Sequence, residues 1–142
     1  MAFEALNRSS LNLDSGRAVF EQNCGVCHKT GGQIGIAPQL DGVGKRGARG
    51  LMEKILDPNR NISQAFQNYT IKLKDGGLKS GLYRRDEGEV KIFADLTGKE
   101  FSIARKDIAE LKALKYTLMP DNFNSSISEK DFNRLINYLL TL

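Results

Sequence analysis

The chain of 142 residues holds one histidine, His28, and two cysteines, Cys24 and Cys27. A single histidine excludes any site that draws two imidazoles from the same chain. Two cysteines allow one pairing at most, and a Cys24–Cys27 disulfide would close a very small loop and contribute little. No stretch approaches the roughly 20 consecutive apolar residues of a spanning helix. The longest candidates, such as Leu135 to Leu142, are broken by Asn137 and Thr141, so no membrane span is expected. The opening MAFEALNRSSLNLDSG has neither the basic leader nor the apolar core of a secretory signal. The expectation is that a signal has been removed or that the chain is a domain of a longer protein. Neither sign of charge dominates: 21 basic against 17 acidic residues leave a net charge of +4. That surplus lacks the clustered stripe of a nucleic-acid binder, so no nucleic-acid partner is expected. The groups Lys45, Arg46, Arg49 and Lys79, Arg84, Arg85 read as solvated surface charge.

The composition, 40% hydrophobic and 27% charged, is that of an ordinary folded chain, and its length predicts one domain over 1–142. Asp14 to Asn23 reads as a helix capped by Asp14, with Gly16, Phe20 and Cys24 on one face. Residues 29 to 50 carry seven glycines and Pro38 without a sustained period. They read as a long loop, and long loops inside compact domains tend to wrap something. Leu51, Met52, Ile55 and Leu56 make a short amphipathic helix closed by Asp57-Pro58. From Asn68 the period changes to two. Tyr69, Ile71 and Leu73 alternate with polar residues, and Asp75-Gly76-Gly77 is a turn signal. Leu78 to Arg84, Val90 to Ala94 and Phe101 to Ala104 complete a predicted four-stranded antiparallel meander over 68–104. The tail has Ser128 as cap with Asp131 three residues on. Phe132, Leu135, Ile136 and Leu139 follow at helical spacing.

The chemistry sits in Cys24-Gly25-Val26-Cys27-His28. A zinc site from two thiolates and His28 lacks a fourth ligand of the usual kind. A thioredoxin-like dithiol wants its first cysteine at a helix start within a βαβ frame, whereas this pair follows a helix in a chain with no parallel-sheet pattern. The remaining reading of this CxxCH run is attachment of a c-type haem. Two thiols three positions apart can each add across one vinyl group, and the next imidazole then faces the iron. Without a second histidine, methionine is the strong candidate for the opposite ligand. Met1 stands at the start, and Met52 sits at core spacing. Met119, in the aperiodic Tyr116-Thr117-Leu118-Met119-Pro120 with a proline stiffening the backbone, reads as a loop ligand. The acids Asp86, Glu87 and Glu89 read as solvated loop charges, so no catalytic constellation is expected and the chain is not read as an enzyme.

Gly16, Phe20, Cys24, Cys27 and His28 resemble the first helix and haem motif of monohaem cytochromes c, and Leu135, Tyr138 and Leu139 resemble the last helix. With Ile55-Leu56-Asp57-Pro58, the Tyr69 strand with Asp75-Gly76, and Leu118-Met119-Pro120 in order, the chain resembles the Planctomycete and Verrucomicrobium type of haem-binding domain. The resemblance implies a mainly α cytochrome c fold in which the 68–104 meander is an insertion. It implies one covalent haem c, with His28 and Met119 on the iron. The Pro38 carbonyl would accept a hydrogen bond from the His28 ring, Leu40 would pack on the haem, and the last helix would cross the first at a glycine and aromatic contact. Arg46, Arg49, Arg60 and Tyr69 are candidates for the propionates. The implied function is electron transfer from a fused or partner dehydrogenase to another carrier, in the periplasm or otherwise outside the cytoplasm. The alternative is a haem-based sensor in which Met119 dissociates. Lys72, Lys74 and Lys79 would meet an acidic partner if the meander docks one, or the meander merely covers a haem edge.

Overall fold

A computed structural model describes residues 10–33, 35–63 and 66–142. The chain forms two compact units, Met1–Arg60 with Pro120–Leu142, and Asn61–Met119. The first unit is helical. Helix α1 (Ser10–Asn23) starts earlier than the sequence reading has it, so Asp14 lies exposed within the helix and is not its cap. After the loop comes a 3-10 turn at Val43–Arg46, which leads directly into α2 (Gly47–Leu56). Leu51 and Ile55 are the buried residues of α2. The glycine run thus hides a helical turn and the start of a helix within the predicted loop.

Two short tail helices complete this unit, α3 (Phe123–Ser126) and α4 (Glu129–Leu139). Ser128 Oγ accepts the Asp131 amide at 3.1 Å, satisfying one of the donors that a helix start leaves open. Phe132, Leu135, Ile136 and Leu139 are buried on α4, as their spacing predicts. Helices α1 and α4 cross backbone to backbone at Gly16, where a Cβ would stand 2.2 Å from Arg134 O and 2.9 Å from Tyr138 Cβ. One turn on, the Phe20 and Tyr138 rings meet at 5.5 Å. This is the glycine and aromatic crossing that the resemblance implies.

The second unit overturns the mainly α expectation. Helix makes up 35% and strand 25% of the described residues, because the segment between α2 and the tail grows into a full sheet with its own core. Strands β1 (Asn68–Leu73), β2 (Leu78–Glu87), β3 (Val90–Ala94), β4 (Glu100–Ala104) and β5 (Ile108–Ala113) form an antiparallel sheet in the order β4-β3-β2-β1-β5. The first four strands are the predicted meander. The fifth, absent from the sequence reading, crosses to the far edge and pairs with β1, with Ile71 opposite Leu111. A bulge at Lys72/Leu73 sets Ile108 and Leu111, three residues apart, against the same core. The period of two is broken there, which conceals the strand from sequence reading.

Ile71, Phe93 and Ile103 form the sheet's buried centre. Tyr69, Tyr83, Phe93 and Phe101 run as a row of rings at 6.2, 5.9 and 5.8 Å. Two of the acids read as solvated, Asp86 and Glu87, are engaged: Asp86 accepts from Tyr83 Oη at 2.9 Å, Lys91 at 3.0 Å and Arg105 at 3.1 Å. Arg85 bonds Glu87, and bonds Glu100 through both carboxylate oxygens. Among the described residues no helix is long and apolar enough to cross a membrane.

Candidate haem-attachment site

The helical backbone does not stop cleanly at Asn23. Cys24 N and Gly25 N both reach Phe20 O, at 2.7 and 2.9 Å. Cys27 N and His28 N then both reach Cys24 O, at 3.2 and 2.9 Å. The five residues of the motif are therefore one tight turn at the end of α1, which holds the cysteines three positions apart and brings the imidazole in directly after them. Both thiols are free and half-buried. Val26 between them is 76% exposed, so the turn leaves its apolar spacer outside.

The loop that follows folds back onto this turn. Ala37 N donates to Cys27 O at 3.3 Å, and Leu40 N donates to Lys29 O at 3.0 Å. Lys29 Nζ reaches Gly25 O at 3.0 Å. Gly35 must be a glycine here, since a Cβ would come within 2.6 Å of Cys27 O. Asp41 closes the loop by accepting the Gly31 and Gly32 amides at 2.8 and 2.7 Å, with Gln39 Nε2 on the same carboxylate. Gly42 N ties the loop's end to Leu142 O at 2.9 Å. Lys29, Gly35 and Asp41 escaped the sequence reading. An acid directly before glycine, inside a glycine-rich run, is the signal that points to Asp41.

This folding brings Pro38 to His28, whose Nδ1 stands 2.8 Å from Pro38 O. A carbonyl only accepts, so the ring proton is on Nδ1 and the lone pair is on Nε2. Burial lowers the imidazole's proton affinity and the bond to Pro38 opposes that effect. For Cys24, burial first and the adjacent Cys27 second push the thiol up to about 11, so it is protonated at neutral pH. Among the described residues no three His, Cys, Asp or Glu side chains converge as a metal cage.

Cys24, Cys27, His28, Pro38 and Leu40 thus share one turn and the loop folded on it. Met119 is the last residue of the sheet unit. It is half-buried, and its amide donates to Thr117 Oγ1 at 3.0 Å. Met52 is half-buried on α2 beside Leu51. Of the propionate candidates, Arg49 pairs with Glu53 one turn along α2, Arg46 and Arg60 are exposed, and Tyr69 packs edge-on against Tyr83.

No curated protein matches the chain significantly. A family model described as Cytochrome c matches residues 13–142, a span that takes in the Cys24–His28 turn, the whole sheet and α4. Because that match covers nearly all of the sequence, this chain belongs to the cytochrome c family and is a haem-binding electron carrier.

Proposed function

We propose that the chain would hold one haem c through Cys24 and Cys27, with His28 Nε2 and the Met119 thioether as the protein ligands of its iron. In this reading it relays electrons, outside the cytoplasm, from a fused or separate dehydrogenase to another carrier. The observation that carries the reading is the His28 Nδ1 to Pro38 O bond of 2.8 Å. It fixes the tautomer, orients the ring and leaves Nε2 as a ready donor, the arrangement that an imidazole ligand to a metal requires.

The thiols supply the attachment chemistry. Each S–H would add across a vinyl group, with sulfur bonding one carbon and hydrogen passing to the other, so the addition consumes no oxidant. The bound haem would supply a one-electron ferric/ferrous couple. Met119, as a soft neutral donor, would favour the ferrous state and raise the reduction potential relative to a second imidazole. Pro38 would hold the His28 ring on its proton side, and Leu40, half-buried beside Lys29, would cover haem carbon. The order of the CxxCH turn, the Asp75-Gly76 hairpin and Leu118-Met119-Pro120 supports the Planctomycete and Verrucomicrobium subtype.

Absorption spectra of the holoprotein test the ligand pair. Met119→Ala is expected to abolish the weak far-red ferric band of sulfur on iron, lower the potential and admit carbon monoxide to the ferrous protein. Met52→Ala should leave all three unchanged. Loss of the band in Met52→Ala alone would make Met52 the ligand. Rapid carbon monoxide binding by the unaltered protein would instead favour the sensor reading, in which Met119 dissociates.

A further inference from the structure

The segment that leads to Met119 leaves the sheet at the end of β5, and the first residue beyond that strand is held by two bonds. Leu114 N donates to Asn68 O at 2.9 Å, continuing the β1–β5 pairing by one step. Leu114 O accepts from the Gln67 side-chain amide at 2.6 Å. Gln67 is itself fixed, because its carbonyl accepts the Tyr83 amide of β2 at 3.3 Å. A residue 47 positions away in sequence thus clamps the carbonyl at which the segment departs. The second restraint lies nearer the tip, where Thr117 Oγ1 accepts the Met119 amide at 3.0 Å.

We propose that Gln67 is a positioning residue for Met119, acting through Leu114; this rests on the reading of Met119 as an iron ligand. With Leu114 fixed, only four residues lie between the clamp and Met119, a backbone tether of about 18 Å at most even if fully extended. Releasing the clamp lengthens the free segment into β5 and adds backbone freedom that ligation must then remove. The clamp is partly buried, so a vacated Leu114 carbonyl is also left with a desolvated acceptor. The sheet thereby keeps the thioether on offer at little entropic cost, and competing ligands are held off by the same margin. The clamp depends on a donor at this position, so an arginine should retain much of the effect and a leucine of similar bulk should not.

Imidazole titration of the ferric holoprotein, followed by loss of the far-red iron–sulfur band, provides the test. Gln67→Leu is expected to raise the affinity for added imidazole about fivefold, the equivalent of one ordinary hydrogen bond. It should also speed hydrogen exchange at the Leu114 amide. Gln67→Arg should return both toward the unaltered protein. If Gln67→Leu lowers the thermal midpoint but leaves imidazole affinity unchanged, the residue is structural only and the proposal is overturned. Met119→Ala, run alongside, separates the two failures. A band that survives Met119→Ala disproves the ligation reading, whereas a band lost there with no Gln67 effect disproves the positioning role alone.

Discussion

The helical unit and the sheet unit are held together by different means. In the first, α1 and α4 approach until backbone meets backbone, which only the absent side chain of Gly16 allows. In the second, spacing is set by side chains: Ile71, Phe93 and Ile103 fill the centre and charged pairs line an exposed face. The chemistry-bearing turn belongs to the unit with the close approach, where a shift in one helix carries the cysteines with it. The sheet unit presents Met119 at its end, on a segment with two hydrogen-bonded restraints. In the proposed reading, haem attachment and methionine ligation would thus rest on different kinds of packing.

Substitutions can break this contrast in graded steps. Phe93→Ala removes a ring that is fully buried and should cost the sheet about 4 kcal/mol, read as lost exchange protection of the Ile71 and Ile103 amides. Gly16→Ala drives a methyl into Arg134 O, a backbone atom that cannot rotate away. A loss of about 3 kcal/mol is expected in chemical denaturation. An unchanged denaturation midpoint for this variant would disprove the close crossing. Asn133→Leu should be nearly neutral, within about 1 kcal/mol, although the residue is buried. Its Oδ1 has no hydrogen-bond partner among the described residues, so replacement by an apolar side chain removes an unsatisfied acceptor.

The smallest effect is expected from acid. Hydrogen bonds from Lys91 and Tyr83 hold Asp86 below the ordinary carboxylate range, and Arg85 does the same for Glu100. Their contribution is present above the unfolded-state values and is lost as pH falls through the lower folded ones. Sheet stability should therefore decline slightly below about pH 4, and high salt should blunt the decline because these pairs are exposed.

What could be read from the sequence was what is local. The Cys24–His28 turn needs five residues, and α4 announces itself through Ser128 and an uninterrupted helical stripe. The β1–β2 hairpin is marked by Asp75-Gly76-Gly77, where Gly76 takes φ 91°. Features that depend on distant partners were hidden. β5 is broken by its bulge and offers only two large apolar residues, Ile108 and Leu111, and its place at the sheet edge follows from pairing with β1. Asp86 looks like a loop acid until Lys91 and Arg105 are brought to it. Gln67 carries no signal of any kind, since its importance lies in a carbonyl 47 residues further on.

The intact mass of mature protein, made in a host that attaches haem outside the cytoplasm, tests the central claim most directly. The expected mass is that of the chain plus one haem, with neither Cys24 nor Cys27 open to alkylation. A chain of unmodified mass with both thiols reactive would contradict it.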